Sequence, residues 1–263
     1  MVRSPQVLLA LLLLGGCGDD ADSVVTEAAP TPAVDPATEA PPVEAVPAPQ
    51  PVAIPTRDGL ELAADLATGQ DDGATVVLFH QLGADRSEWA PLTDGLRRAG
   101  HTVLRVDLRG HGESPGGPEG WRSFGDDDWA QLAADGEAVV EWARLRSDLP
   151  PRWVFGGSSI GSSVALRAAV AEEVDAVFAL SPGRAYHGID AVTPIAEYPA
   201  ERPLLAVAAR GEVPSAETAR EMARIAASGS ARLVDGSSHG LAMLEDRPGL
   251  LSVLEDFVAE VAR

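Results

Sequence analysis

The sequence predicts an α/β domain over residues 52–263, with a mainly parallel central sheet flanked by helices. Three observations predict it. Short, continuous apolar runs recur at 75–80, 102–108, 152–156, 176–180 and 204–209, the pattern of strands buried on both faces. Segments of helical period separate them, so strand and helix alternate as a layered α/β architecture requires. The chain has 263 residues, 45% of them hydrophobic, which is enough to bury a sizeable core.

Each element has its own local justification. Val52 to Leu66 is strand-like, broken at Asp58-Gly59, a hairpin turn signal. The 75–80 run follows a Gly- and Asp-rich break. A helix from Trp89 to Ala99 stops at Gly100, a C-cap residue. After the 102–108 strand comes a Gly/Pro-rich loop, then a long helix from about Asp127 to Leu145. A strand at 152–156 precedes a helix from Ile160 to Ala171. The strands at 176–180 and 204–209, a weaker one at 231–235, and helices near 215–227 and 249–262 complete the series. No G-x-G-x-x-G follows the first strand, which argues against a dinucleotide-binding domain.

The residues before 52 read differently. Residues 1–17 hold Arg3, an apolar run from Val7 to Leu14, and Gly15-Gly16-Cys17. That run is too short to span a bilayer as a helix and reads as the apolar part of a signal peptide. Leu14-Gly15-Gly16-Cys17 resembles a bacterial lipoprotein signal ending at a lipidated cysteine. Acyl chains on Cys17 would hold the protein at a membrane of the bacterial cell envelope, facing periplasm or exterior. Residues 18–51 contain 16 Pro or Ala and seven acidic residues among 34, with no basic or aromatic side chain. Such a segment predicts a disordered acidic linker, able to extend about 100 Å at about 3.1 Å per residue.

Composition excludes several chemistries. The formal net charge of −20 repels phosphate backbones, so no nucleic-acid partner is expected. All 20 basic residues are Arg; without Lys there is no Schiff-base, P-loop or Ser-Lys chemistry. The single Cys rules out internal disulfides and cysteine metal clusters, and no metal or cofactor is expected.

Gly157-Ser158-Ser159-Ile160-Gly161 fits G-x-S-x-G between an apolar strand and a helix, the setting of a strained turn that exposes a nucleophilic serine. Ser158 would place the bulky Ile160 where the second small residue belongs, so Ser159 is the better nucleophile. His239, in the small-residue loop Gly236-Ser-Ser-His-Gly240, follows the last expected strand and is the candidate base. His101 and His187 read as surface or structural, and His111 lies too far upstream for this order. Glu212, at the end of the 204–209 strand, is the candidate acid that would hold the His239 tautomer, with Asp190 in reserve. Asp235 is too near His239 along the chain. The amides of Ile160 and Leu82, with Gln81 second, are the candidate oxyanion donors. His80 reads as a brace for the Gln81–Leu82 loop.

Together these motifs resemble the α/β-hydrolase family. The segment Phe79–Trp89 looks like its His-Gly oxyanion segment, with Gln81 in place of the usual Gly. Asp107-Leu-Arg-Gly-His-Gly-Glu-Ser114 is similar to the family's D-x-R-G-H-G-x-S turn. Leu180-Ser-Pro-Gly183 and Ser238-His-Gly240 are similar to segments of bacterial dienelactone-hydrolase-like and esterase-like members. The resemblance implies the chain order Ser159, Glu212, His239, with Glu where Asp is more usual, and an acyl-enzyme route for a small acyl substrate (EC 3.1.1.-). It also implies a lid after the 176–180 strand, but only about 20 residues separate Leu180 from Leu204, too few for a cap domain. An open site bordered by Tyr186, His187, Ile189 and Tyr198 is expected. An S33-like peptidase or amidase and a non-catalytic binding protein of the same fold are the alternatives. Oligomeric state is not legible.

Overall fold

The computed structural model describes residues 47–69, 73–172 and 174–263. The expected signal peptide, Cys17 and most of the 18–51 linker lie outside the described residues. The first strand begins at Gln50, so residues 50 and 51 belong to the folded unit rather than to the linker. Among the described residues no helix is long and apolar enough to cross a membrane.

In chain order the elements are β1 (Gln50–Pro55), β2 (Glu61–Ala67), β3 (Thr75–Phe79), a 3₁₀ turn (Arg86–Trp89), α1 (Ala90–Arg98), β4 (Thr102–Val106) and β5 (Pro118–Trp121). Then follow α2 (Asp126–Arg144), β6 (Trp153–Ser158), α3 (Ile160–Ala171), β7 (Ala176–Leu180) and a two-stranded ribbon, β8 (Ala185–Tyr186) with β9 (Ile189–Asp190). A second 3₁₀ turn (Thr193–Glu197), β10 (Leu204–Ala209), α4 (Val213–Ile225), β11 (Gly229–Val234), α5 (Ala242–Asp246) and α6 (Gly249–Ala262) end the chain.

Eight strands form one sheet in the order β1-β2-β4-β3-β6-β7-β10-β11. From β4 to β11 all neighbours are parallel; β1 and β2 add an antiparallel edge, β2 pairing with β4. The hairpin turn expected at Asp58-Gly59 is present, with Gly59 at φ 88°. Alternate residues of the central strands feed two separate apolar layers. Val77, Phe79 and Phe155 pack with α2, α3 and α4, whereas Val76, Leu78 and Val154 pack with α1 and α6. That two-sided burial explains why the strands read as unbroken apolar runs.

Packing is close where the site is held. Gly156 on β6 leaves room for the Phe178 ring, and a Cβ there would lie 2.1 Å from its Cζ. Between Leu180 and Leu204 lie only the β8–β9 ribbon and the 3₁₀ turn, so among the described residues no sizeable cap covers the C-terminal edge of the sheet. Ile189 and Tyr198, expected at the mouth of the site, are instead buried in the core, with the Tyr198 hydroxyl donating to Pro203 O at 3.1 Å. Both side chains join the apolar layer that includes α2, α3 and α4, and removing that apolar area from water overrides the border expected from sequence position.

Candidate active site

The loops leaving the C-terminal ends of β3, β6, β7, β10 and β11 converge on one edge of the sheet. At the end of β6, Ser159 has φ 54° and ψ −118°, a strained conformation for a non-glycine residue. Its N–H donates to Leu180 O at 2.9 Å. Two neighbouring glycines make the turn possible. A Cβ on Gly157 would lie 2.2 Å from Gly161 O, and one on Gly161 would lie 2.4 Å from the carbonyl oxygens of both Phe79 and His80. These contacts are with backbone, which cannot yield. The decoy Ser158 is fully buried, its hydroxyl donating to Gln81 Oε1 at 3.2 Å. Helix α3 starts immediately after Ser159, and no acidic residue in its first turn offsets the positive end of its dipole.

The candidate acid and base meet across two loops. Glu212 follows β10 and His239 follows β11, and His239 Nδ1 pairs with Glu212 Oε1. Glu212 Oε1 also accepts from Ser215 Oγ, and Oε2 from Ser181 Oγ, each at 2.7 Å. Burial opposes the charge on Glu212 and is the largest single influence. The combined donors His239, Ser215 and Ser181 outweigh it and hold the carboxyl below its ordinary range. The reserve carboxylate, Asp190, instead accepts from the amides of Val192 and Thr193, and the exposed Asp235 pairs with Arg210. Ser159 Oγ makes no hydrogen bond to His239 among the described residues, and its side-chain hydrogen-bonding neighbour is the Tyr186 hydroxyl.

The amides of Ile160 and Leu82 likewise have no acceptor among the described residues. The orientation of the Leu82 amide is set by the opposite side of its peptide. Gln81 O accepts from His80 Nδ1 at 2.7 Å and from the Ala84 amide at 3.2 Å, so the N–H of Leu82 must face the other way. His80 Nε2 accepts from the Leu108 amide at 2.9 Å, which fixes the proton on Nδ1. Burial pushes the His80 pKa down to about 4, so this brace is neutral. The Gln81 side chain turns away from the loop; its Oε1 also accepts from the Leu241 amide at 3.3 Å.

The 107–114 turn is scaffold. Asp107, fully buried, accepts from the Arg86 amide at 2.6 Å and from the Glu113 amide at 2.9 Å, and pairs with the Arg86 guanidinium. Among the other histidines, His101 accepts from the Ala74 amide, His111 stacks on Trp121 and His187 stacks on Trp129. Tyr186 does border the site, its hydroxyl donating to Ser181 O at 3.2 Å. Ser181 and Ser215, the donors to Glu212, were not singled out from the sequence as site residues. Ser215 had a legible signal, a hydroxyl three residues after the acid on the first turn of α4; Ser181 had none beyond its place in Leu180-Ser-Pro-Gly183. No group of three or more metal-ligating side chains occurs among the described residues.

An apolar cavity of about 490 Å³ flanks the Gln81 and Leu241 segments, walled by Pro91, Leu244 and Leu251 and carrying Glu88 and Glu245 with no basic residue.

Comparison with known proteins bears on the fold and the family. The chain is 33% identical over 109 residues to RutD of Variovorax paradoxus (strain S110), provisionally named a carbamate hydrolase. That match takes in 40% of this chain and 35% of the relative, so the chain spans about a third of the length of the curated relative it matches. The Pyrococcus furiosus esterase Pf2001 superposes with a TM-score of 0.68 at 19% identity, over 82% of this chain and 93% of the other. A dienelactone hydrolase from Anabaena variabilis gives 0.65 at 20% identity, over 81% and 96%. These two likenesses concern the fold. Residues 74–227 match the family described as the alpha/beta hydrolase fold, and with more than half its length in that match the chain belongs to the α/β-hydrolase family.

Proposed function

We propose that the protein is a serine hydrolase that cleaves carboxylic esters through a Ser159–His239–Glu212 triad. The observation that carries this reading is the His239–Glu212 pair on loops beside a strained serine at the head of α3. Ser159 Oγ attacks the substrate carbonyl while His239 Nε2 takes its proton. This requires the half-exposed His239 ring to close on the serine as substrate binds, a tightening common in such sites. The Ile160 and Leu82 amides stabilise the oxyanion, and Glu212 stays ionised to support the imidazolium. Collapse expels the alcohol, which takes the proton from His239; water then hydrolyses the acyl-enzyme with His239 again as base. No step calls for a metal or cofactor. The names of the fold neighbours, an esterase and a dienelactone hydrolase, are consistent with this class.

A second reading, cleavage of a carbamate or other C–N acyl bond, is favoured by the partial similarity to RutD. The Leu180–Leu204 span, which holds only a ribbon and a 3₁₀ turn, supports it less for peptides, whose ends would need reading by a cap. The test uses the full chain with p-nitrophenyl acetate, butyrate and octanoate beside an aryl carbamate, together with Ser159→Ala. Ester turnover that is lost in Ser159→Ala supports the reading. Equal rates in both proteins overturn Ser159, and faster carbamate turnover moves the second reading forward.

We further propose that Cys17 is lipidated and tethers the domain to a bacterial membrane through the acidic linker. Mass spectrometry of the mature N-terminus and detergent-phase partition of Cys17→Ala test this; a soluble, unmodified parent would overturn it.

A further inference from the structure

Ser181 follows β7 at the point where the chain leaves the sheet. It is fully buried and has φ 44°, a conformation that favours glycine, yet the residue carries a hydroxyl. The Ser181 amide donates to Val207 O at 2.8 Å on the neighbouring strand, and Ser181 O accepts from Tyr186. Its hydroxyl works in both directions: it donates to Glu212 Oε2 at 2.7 Å and accepts from the Gly240 amide at 2.8 Å. Gly240 directly follows His239, whose Nδ1 pairs with the other oxygen of Glu212. The hydrogen bonds therefore close a ring through Glu212, His239, Gly240 and Ser181, joining the loops after β7, β10 and β11.

A glycine would meet the backbone demand at lower strain, so the backbone does not explain a serine here. The hydroxyl does. One donor and one acceptor are spent on the acid and on the amide beside the base, a tie through the loop after β7 that adds to the bond of the Gly211 amide to Gly236 O and the Arg210–Asp235 pair between the loops after β10 and β11. We infer that Ser181 is a positioning residue, whose hydroxyl holds Glu212 and the His239 loop in the mutual orientation that proton transfer needs. This rests on the triad reading above.

The test compares Ser181→Gly with the parent, alone and in a Glu212→Gln background, using the full chain. Glycine accepts the backbone conformation, so the melting temperature should stay near that of the parent. In the parent background kcat should fall about 10- to 100-fold, the scale of a small misplacement of catalytic groups, with KM little changed. In Glu212→Gln the same change should cost less than about twofold, because residues acting through one another are not additive. Independently of turnover, the His239 Nδ1 proton resonance, assigned by its loss in His239→Ala, should shift or broaden in Ser181→Gly. Equal losses in both backgrounds, or an unchanged kcat with an unchanged resonance, would overturn the inference. If the parent lacks Ser159-dependent turnover, the triad reading fails and the resonance alone decides whether Ser181 holds the pair. Should Ser181→Gly not fold, Ser181→Ala carries the same comparison.

Discussion

Glu212 and His239 stand 27 residues apart in sequence and meet because β10 and β11 are parallel neighbours whose C-terminal loops emerge side by side. The acid is anchored apart from the base as well, Ser215 donating to its Oε1 and Ser181 to its Oε2. Glu212→Gln keeps the volume and removes the charge, freeing His239 to adopt the wrong tautomer. We expect kcat to fall about 10⁴-fold with a modest change in KM, measured by ester hydrolysis at neutral pH.

The same carboxylate has a pH signature. Its folded pKa lies below the ordinary value of 4.5, so the stability it contributes is present above that value and is lost as pH falls through the lower, folded one. Urea unfolding of parent and Glu212→Gln should therefore differ most near neutrality and converge in acid. Curves that keep a constant separation down to pH 3 would contradict the charge-based account.

His80 titrates with the opposite chemistry. It is neutral when folded, with a pKa of about 4 against an ordinary 6.5, because burial penalises the imidazolium. The unfolded chain binds the proton first, so stability should fall as pH drops from about 6.5 towards 4 and then level off. His80→Asn should flatten that slope. By loosening the Gln81–Leu82 peptide it should also lower kcat by up to about 10²–10³-fold, the effect of losing one oxyanion donor.

Gly161→Ala forces a Cβ to within 2.4 Å of two backbone carbonyls at the end of β3. A loss of about 1–3 kcal/mol or more in unfolding free energy is expected, together with loss of turnover as the elbow shifts. Ser158→Ala leaves the elbow in place and should retain most activity, which separates the two adjacent serines.

The cavity beside Gln81 carries Glu88 and Glu245 and no basic residue, and burial together with neighbouring acids holds the Glu88 carboxyl above its ordinary range. With a formal net charge of −20 the protein repels anions as a whole, so esters bearing a carboxylate should react more slowly than neutral esters of equal size. Added salt should narrow the gap as the Debye length falls from about 10 Å at 0.1 M to about 3 Å at 1 M. A salt-independent preference would point to shape rather than charge.

Much of the frame was legible from residues alone. Strands β7 and β10 and helices α3 and α6 fall at the expected positions, because buried parallel strands and amphipathic helices write themselves as local patterns. The β8–β9 ribbon and α5 were not legible: two-residue strands and a five-residue helix carry too little periodicity. Tyr198 was misjudged, since a tyrosine in a polar stretch gives no local sign that its ring will be buried.

The sequence by itself pointed to the fold class and to Ser159 and His239 as candidates, with Glu212 ahead of Asp190, because glycine spacing and strand ends are local properties. The tertiary structure alone decided that Glu212 rather than Asp190 faces His239, that His80 locks the Leu82 peptide, and that Ser181 ties acid to base. Those relations join residues on different strands, and only the order and register of the sheet bring them together.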